Sequence, residues 1–127
     1  MKRLVLAVLG ATLLACAEPS LKGRMEQPLL ACGAGRAYLV APDGGIAWSK
    51  SGCGNIHRVW LRENWVYWSN GDLYRTDIPT GRTELFYKPC AKEGIFGFEI
   101  LPNGNIVVAE NGTDFITELK AGTTEPV

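Results

Sequence analysis

The sequence predicts an all-β chain built from antiparallel meander repeats. Three observations carry that expectation. First, residues 63–87, ENWVYWSNGDLYRTDIPTGRTELFY, read as three short strands joined by two tight turns. Second, the pattern returns on both sides. Shifted back by 36 residues, Leu30, Gly35, Tyr38 and Gly45 fall on Val66, Gly71, Tyr74 and Gly81. Shifted forward by 40, Leu61, Val66 and Trp68 fall on Leu101, Ile106 and Val108, and at 41 Tyr74 and Gly81 fall on Phe115 and Gly122. Third, apolar positions after the first residues alternate rather than recur at helical spacing, so no helix of ordinary length is expected there. A period of about 40 residues with three or four strands is that of a propeller blade. The competing reading is one irregular sheet whose hairpins look alike because all need glycine and aromatics. Matches that keep their order across three copies favour blades.

Each element has a local reason. Residues 65–69 are aromatic and β-branched, which suits a pleated, half-buried surface. Asn70-Gly71-Asp72 supplies the positive φ of a hairpin turn. Residues 73–77 alternate, Pro79-Thr80-Gly81 turns again, and 83–87 form a third strand. Upstream, residues 28–33, 37–41 and 46–50 are strands, with a turn at Pro42-Asp43-Gly44-Gly45. Residues 56–61 follow the glycine-rich connector SGCGN and have the character of an innermost strand. Residues 95–101 match them after a second connector, KPCAKEG. Pro102-Asn103-Gly104 is a turn of Asn-Gly type, and residues 105–110 and 115–119 are the last two strands, joined through Asn111-Gly112-Thr113.

Residues 1–17, MKRLVLAVLGATLLACA, have the form of an export signal: Lys2 and Arg3, an apolar core from Leu4 to Leu14, then small residues. The run is too short for a permanent bilayer span. Two processing routes remain open. Ala15-Cys16-Ala17 is an A-x-A site for ordinary cleavage, and Leu13-Leu14-Ala15-Cys16 resembles a lipobox in which Cys16 carries lipid. Either places the mature chain outside the cytoplasm, in the periplasm, cell envelope or medium. Membrane contact is expected only through such an anchor. Residues 18–27 read as a polar linker, and residues 28–127 as a partial propeller domain.

With 13 Lys and Arg against 13 Asp and Glu, no basic excess points to nucleic acid and no acidic run to a disordered tail. In an oxidising compartment disulfides persist. Cys53 and Cys90 both lie in connectors and form the candidate pair, while Cys32 is expected to be a small buried strand residue. Blade number is the difficulty. A closed propeller takes roughly four to eight blades, and about 110 residues after position 17 supply two to three. The expectation is an incomplete propeller: the front of a longer protein, a truncated reading frame, or a unit completed by assembly. The truncated reading fits the abrupt end best.

Asp77-Ile78-Pro79-Thr80-Gly81 resembles the blade motif of quinoprotein-type (PQQ-like) propellers, in which an A-x-D-x-x-T-G run precedes a docking tryptophan. Ala41-Pro42-Asp43 with Trp48 is a shortened form of it. LPNGNIVVAENGTDFITEL resembles the blades of NHL-type and gluconolactonase-like propellers. The resemblance spans residues 29–122. It implies blades, and it departs where Leu85-Phe86 replaces the docking tryptophan and Arg75 the alanine. Quinone is not expected to be retained, since that cofactor is held by residues from many blades.

His57, the one histidine, opens an expected innermost strand as a candidate general base or metal ligand near the axis. Glu99 lies on the matching strand of the next repeat. Two polar groups facing an axial channel suit a cation or a sugar, and equally suit channel water. Glu110, Asn111 and Asp114 place three oxygen ligands within five residues, a set a hard cation such as calcium favours. The gluconolactonase-like resemblance implies an acidic and amide axial metal site, and a hairpin turn has the same composition. Trp60, Trp65, Tyr67 and Trp68 offer surfaces for a sugar or peptide. Alternation puts Trp65 and Tyr67 on one face and Trp68 on the other, which favours packing between blades. No Ser-His-Asp set, phosphate loop or paired catalytic carboxylates stand out.

Beside the reading that an unclosed fragment has no function of its own, two readings of function follow. The first is an exported, non-enzymatic propeller-type module that binds a small molecule, sugar or protein or serves as a scaffold. The second is part of a metal-dependent lactonase-like hydrolase.

Overall fold

The computed structural model describes residues 25–127. The expected export signal, Cys16 and all but the last three residues of the expected linker lie outside the described residues. The described chain is all-β. Its strands are β1 (Leu29–Gly33), β2 (Arg36–Val40), β3 (Ile46–Lys50), β4 (Arg58–Arg62), β5 (Trp65–Ser69), β6 (Leu73–Asp77), β7 (Thr83–Tyr87), β8 (Ile95–Ile100), β9 (Ile106–Glu110) and β10 (Ile116–Leu119). They form three antiparallel sheets, β1-β2-β3, β4-β5-β6-β7 and β8-β9-β10, each a meander, and none closes on itself. These are the blades of an incomplete propeller.

The repeat shifts show which strand each sheet supplies. Leu30 of β1 falls on Val66 of β5, so the first sheet holds second, third and fourth strands of a blade. The third sheet holds first, second and third. A bridge between Leu119 and Pro126 begins a fourth, with the Val127 N–H donating to the Glu118 carbonyl at 2.9 Å. Strand β4 packs beside β8 and beside β1, the edge strand of the first sheet that precedes it, so the inner edges of the three sheets gather on one side of the molecule, where a propeller has its axis.

Alternation along each strand sends side chains to two interfaces. Toward the first sheet β5 turns Val66 and Trp68, which join Ala37 and Cys53, with Leu30, Trp48, Val59 and Tyr74 against them. Toward the third it turns Tyr67, which joins Leu73, Phe86, Ile95, Phe98, Ile106, Val108 and Leu119. Leu73, Ile95, Ile106 and Leu119 are fully enclosed, and burying each such side chain contributes roughly 1.5–3 kcal/mol. Trp68 stacks on Tyr74 at 4.5 Å, and Tyr67 meets Phe86 edge-on at 5.5 Å.

Phe86 takes the place expected of a docking tryptophan because of a bulge. Leu73 pairs with Tyr87 and Tyr74 with Leu85, which leaves Phe86 as the extra residue. A bulge re-aims a side chain, and here Phe86 enters the core while Leu85 stays out. The Asp77 turn is tied locally: its carboxylate accepts from the Thr80 N–H at 3.2 Å and the Thr80 hydroxyl at 2.5 Å, and its carbonyl from the Gly81 N–H at 2.8 Å.

One backbone contact joins successive blades and occurs twice. The Gly35 carbonyl accepts from the Cys53 N–H at 3.0 Å, and the Gly71 carbonyl from the Ile95 N–H at 2.7 Å. Both glycines have positive φ, 72° and 118°, in the turn between second and third strands. Each holds the chain as it enters the next blade.

The cysteine expectations need correction. Cys53 and Cys90 are both free. They sit in different connectors, one between the first and second sheets and the other between the second and third. Cys53 is buried, its thiol donating to the Lys50 carbonyl at 3.5 Å, while Cys90 is exposed. Cys32 is exposed rather than buried, since it sits next to last in β1, at the hairpin end of that strand.

Candidate functional site

The polar groups singled out by sequence do not converge on one site, and only Glu110, Asn111 and Asp114 border a common concavity. His57 is exposed just before β4, its Nε2 3.4 Å from Asn55 Nδ2, and its N–H donates to the Ser69 carbonyl at 2.8 Å. Trp60 on β4 is half-buried against the second interface. Glu99 on β8 is exposed and turned to the opposite face from Phe98. Glu99 instead shares a concavity of about 260 Å³ with Arg58 and Phe96.

The Glu110 segment has a structural role. Glu110 is buried, its Oε1 accepting from the Tyr87 hydroxyl at 2.8 Å and its Oε2 from the Ala91 N–H at 2.7 Å. Burial opposes ionisation of this carboxyl, but the Tyr87 hydroxyl and the Ala91 and Cys90 N–H groups outweigh it and hold it below the usual range. Burial, then the bond to Glu110, pushes Tyr87 up to about 12. Asn111 and Asp114 are exposed in the turn beyond. Both Glu110 oxygens therefore hold a partner already, Oε1 at the end of β7 and Oε2 in the β7–β8 connector. Among the described residues no three His, Cys, Asp or Glu side chains gather as a metal site.

A second cleft has more of the chemistry of recognition. It lies between the second and third sheets, holds about 310 Å³, and is lined by Arg62, Glu63, Trp65, Tyr67, Arg75, Ile100, Gly104, Ile106, Ala121 and Gly122. Tyr67 and Arg75 reach it from mid-strand, and the other side chains come from strand ends and turns. Arg62 closes β4 and Trp65 opens β5, paired across a two-residue turn in which Glu63 has φ 54°. Positive φ is uncommon for a residue with a side chain, and such strain is worth noting where it borders a cleft. Gly104, at φ 93°, lets the Arg62 guanidinium lie against the backbone: a Cβ there would come within 2.5 Å of Arg62 Nη1.

Arg75 and Arg62 differ in what holds them. Arg75 forms a two-nitrogen pair with Glu84, at 2.6 Å from Nε and 2.5 Å from Nη2, and lies 4.4 Å over Trp65 and 4.9 Å over Phe86. Burial works against its charge, but Tyr67 and Glu84 more than offset that and raise its pKa. Arg62 has no ion-pair partner among the described residues. The cleft therefore combines a committed cation that stiffens Trp65 with an uncommitted one beside Glu63.

Of these residues, sequence reading reached Trp65 and Tyr67 as an aromatic surface and missed Arg62 and Arg75. The available signals were the arginine in place of the blade-motif alanine and an arginine ending an inner strand before a tight turn. The chain matches no protein-family profile, no curated protein sequence and no solved structure.

Proposed function

We propose that this chain is an exported, non-catalytic binding module of propeller type, related in architecture to the PQQ-like and NHL-type propellers but without a quinone. Its ligand site is the cleft between the second and third sheets, and the ligand class is a small acidic sugar. The observation that carries this reading is Arg62, a guanidinium without an ion-pair partner in a cleft walled by Trp65 and Tyr67. A guanidinium fork matches a carboxylate. Glu63 accepts from ring hydroxyls, and Trp65 offers apolar surface to the C–H face of a sugar. The hydrolase reading draws on Glu110, Asn111 and Asp114, and Glu110 is committed to Tyr87 and Ala91.

Isothermal titration of the full chain with a hexuronic acid and with the matching neutral hexose tests the proposal. The acid is expected to bind and the hexose at least tenfold more weakly, since a charge-assisted bond is worth roughly 1.5–3 kcal/mol. Arg62→Ala is expected to abolish the preference. Equal binding of acid and hexose, no binding of either, or an unchanged preference in R62A refutes it.

A further inference from the structure

The third sheet has an uncovered face. Alternation turns Ile95, Phe98, Ile106 and Val108 toward the second sheet, so Phe96, Glu99, Val107, Ala109 and, across from it, Ile116 turn away. Phe96 is 74% and Ile116 73% exposed. Isolated exposed apolar residues are ordinary; a contiguous patch of them marks an interaction surface. The first sheet has a face of the other hand, open along its two outer strands. Leu30, Ala37 and Trp48 meet the second sheet, and Leu29, Tyr38 and Ile46 turn away, Leu29 being 47% and Ile46 59% exposed while Val40 between them is buried.

The chain itself shows twice what such faces receive. The side of the first sheet that carries Ala37 receives the second sheet, and the side of the second that carries Tyr67 receives the third. By the shift of 40, Tyr67 corresponds to Val107, which lies on the uncovered side of the third sheet. The backbone contact that accompanies each docking has its third counterpart in Gly112. It sits 41 residues after Gly71, has φ 74° in the turn between β9 and β10, and its carbonyl accepts no hydrogen bond among the described residues. The third sheet is built to receive another blade.

We infer that this blade comes from a second copy of the chain, whose first sheet docks by its Leu29 and Ile46 face on the Phe96 and Ile116 face, and that two copies close a six-bladed ring. The count selects two. Closed propellers take roughly four to eight blades. One copy supplies three and three copies nine; only two fall in range. A head-to-tail contact generates a ring when its rotation closes, and two such contacts cover all four faces.

Light scattering on the full chain across micromolar concentrations tests this. The expected result is twice the chain mass with nothing larger, because a closed ring has no free face. Ile46→Lys and Ile116→Glu are each expected to weaken association about 10- to 100-fold, as an unpaired charge enters an apolar contact. Mixed in equal amounts they are expected to re-form a mixed dimer by native mass spectrometry, with one interface restored and the other joining Lys to Glu. Circular dichroism checks folding, and Phe96→Glu replaces Ile116→Glu if that variant fails to fold. A monomeric wild type, an open series of larger species, or two variants that stay dimeric alone overturns the inference. A monomer would assign both faces to blades of a longer chain, and failure here leaves the Arg62 cleft untouched because it lies within one copy.

Discussion

Thr76 links three strands of the second sheet through one hydroxyl, and removing it exposes how the sheet is held. The Trp68 indole N–H donates to Thr76 Oγ1 at 3.0 Å, and the Thr76 and Thr83 hydroxyls lie 2.9 Å apart. Thr76 is fully buried and Trp68 is 4% exposed, so no water replaces a lost partner. Thr76→Val keeps the shape and leaves the indole N–H orphaned, a cost of about 1–3 kcal/mol. The added methyl and the β preference of valine return part of this. A net loss of about 1–2 kcal/mol is expected, which for a domain of this size lowers Tm by roughly 5–15 °C. Trp68→Phe has no N–H to orphan, so in that background Thr76→Val is expected to cost less than about 0.5 kcal/mol. Urea melts followed by circular dichroism on the four proteins give the coupling energy. A T76V variant within about 0.5 kcal/mol of wild type, or an equal cost in both backgrounds, refutes the claim that the indole N–H depends on Thr76.

Two further outcomes follow from the same geometry. Tyr87 is raised to about 12, so the stability from its protonated hydroxyl is complete below the ordinary value of 10 and is lost as pH rises from there toward 12. Glu110 is lowered from 4.5, so its contribution is present above 4.5 and is lost as pH falls through the lower folded value. The difference in Tm between wild type and Tyr87→Phe should therefore shrink at both ends of a pH series, and a constant difference would contradict the pairing. At Gly94, φ is 79° and an added Cβ would sit 2.7 Å from the Gly71 Cα and carbonyl oxygen. Gly94→Ala is expected to cost about 2–4 kcal/mol, against roughly 1 for Gly81→Ala, where φ is 70° but the space is open; equal costs in denaturant melts would show that the contact with Gly71 does not matter.

Much of the fold was legible because strands and hairpins are local. The second sheet's strands at 65–69, 73–77 and 83–87 follow from alternation and from Asn-Gly and Pro-Thr-Gly turns, whose backbone preferences act within a few residues. The split of Trp65 and Tyr67 from Trp68 is equally local, since adjacent residues in a strand face opposite ways. The shifts that lay Gly35 on Gly71 anticipated a recurring turn, and the structure adds the carbonyl contact each makes with the next blade.

What depended on distant residues was not legible. Glu110 looked like one of a set of oxygen ligands with Asn111 and Asp114, but its partners are Tyr87, 23 residues away, and Ala91, 19 away. Spacing along the chain carries no information about which connector folds over a strand end. Cys53 and Cys90 resembled a pair for a similar reason: equivalent positions in successive repeats are one blade apart in space, so a likeness in sequence separates them. The cleft at Arg62 exists only where the turns after β4 and β8 meet. The sequence by itself determined the strands, the turns and the repeat. Which side chains share a cavity was decided by packing between blades, because that contact joins residues whose only relation is the stacking of one sheet on the next.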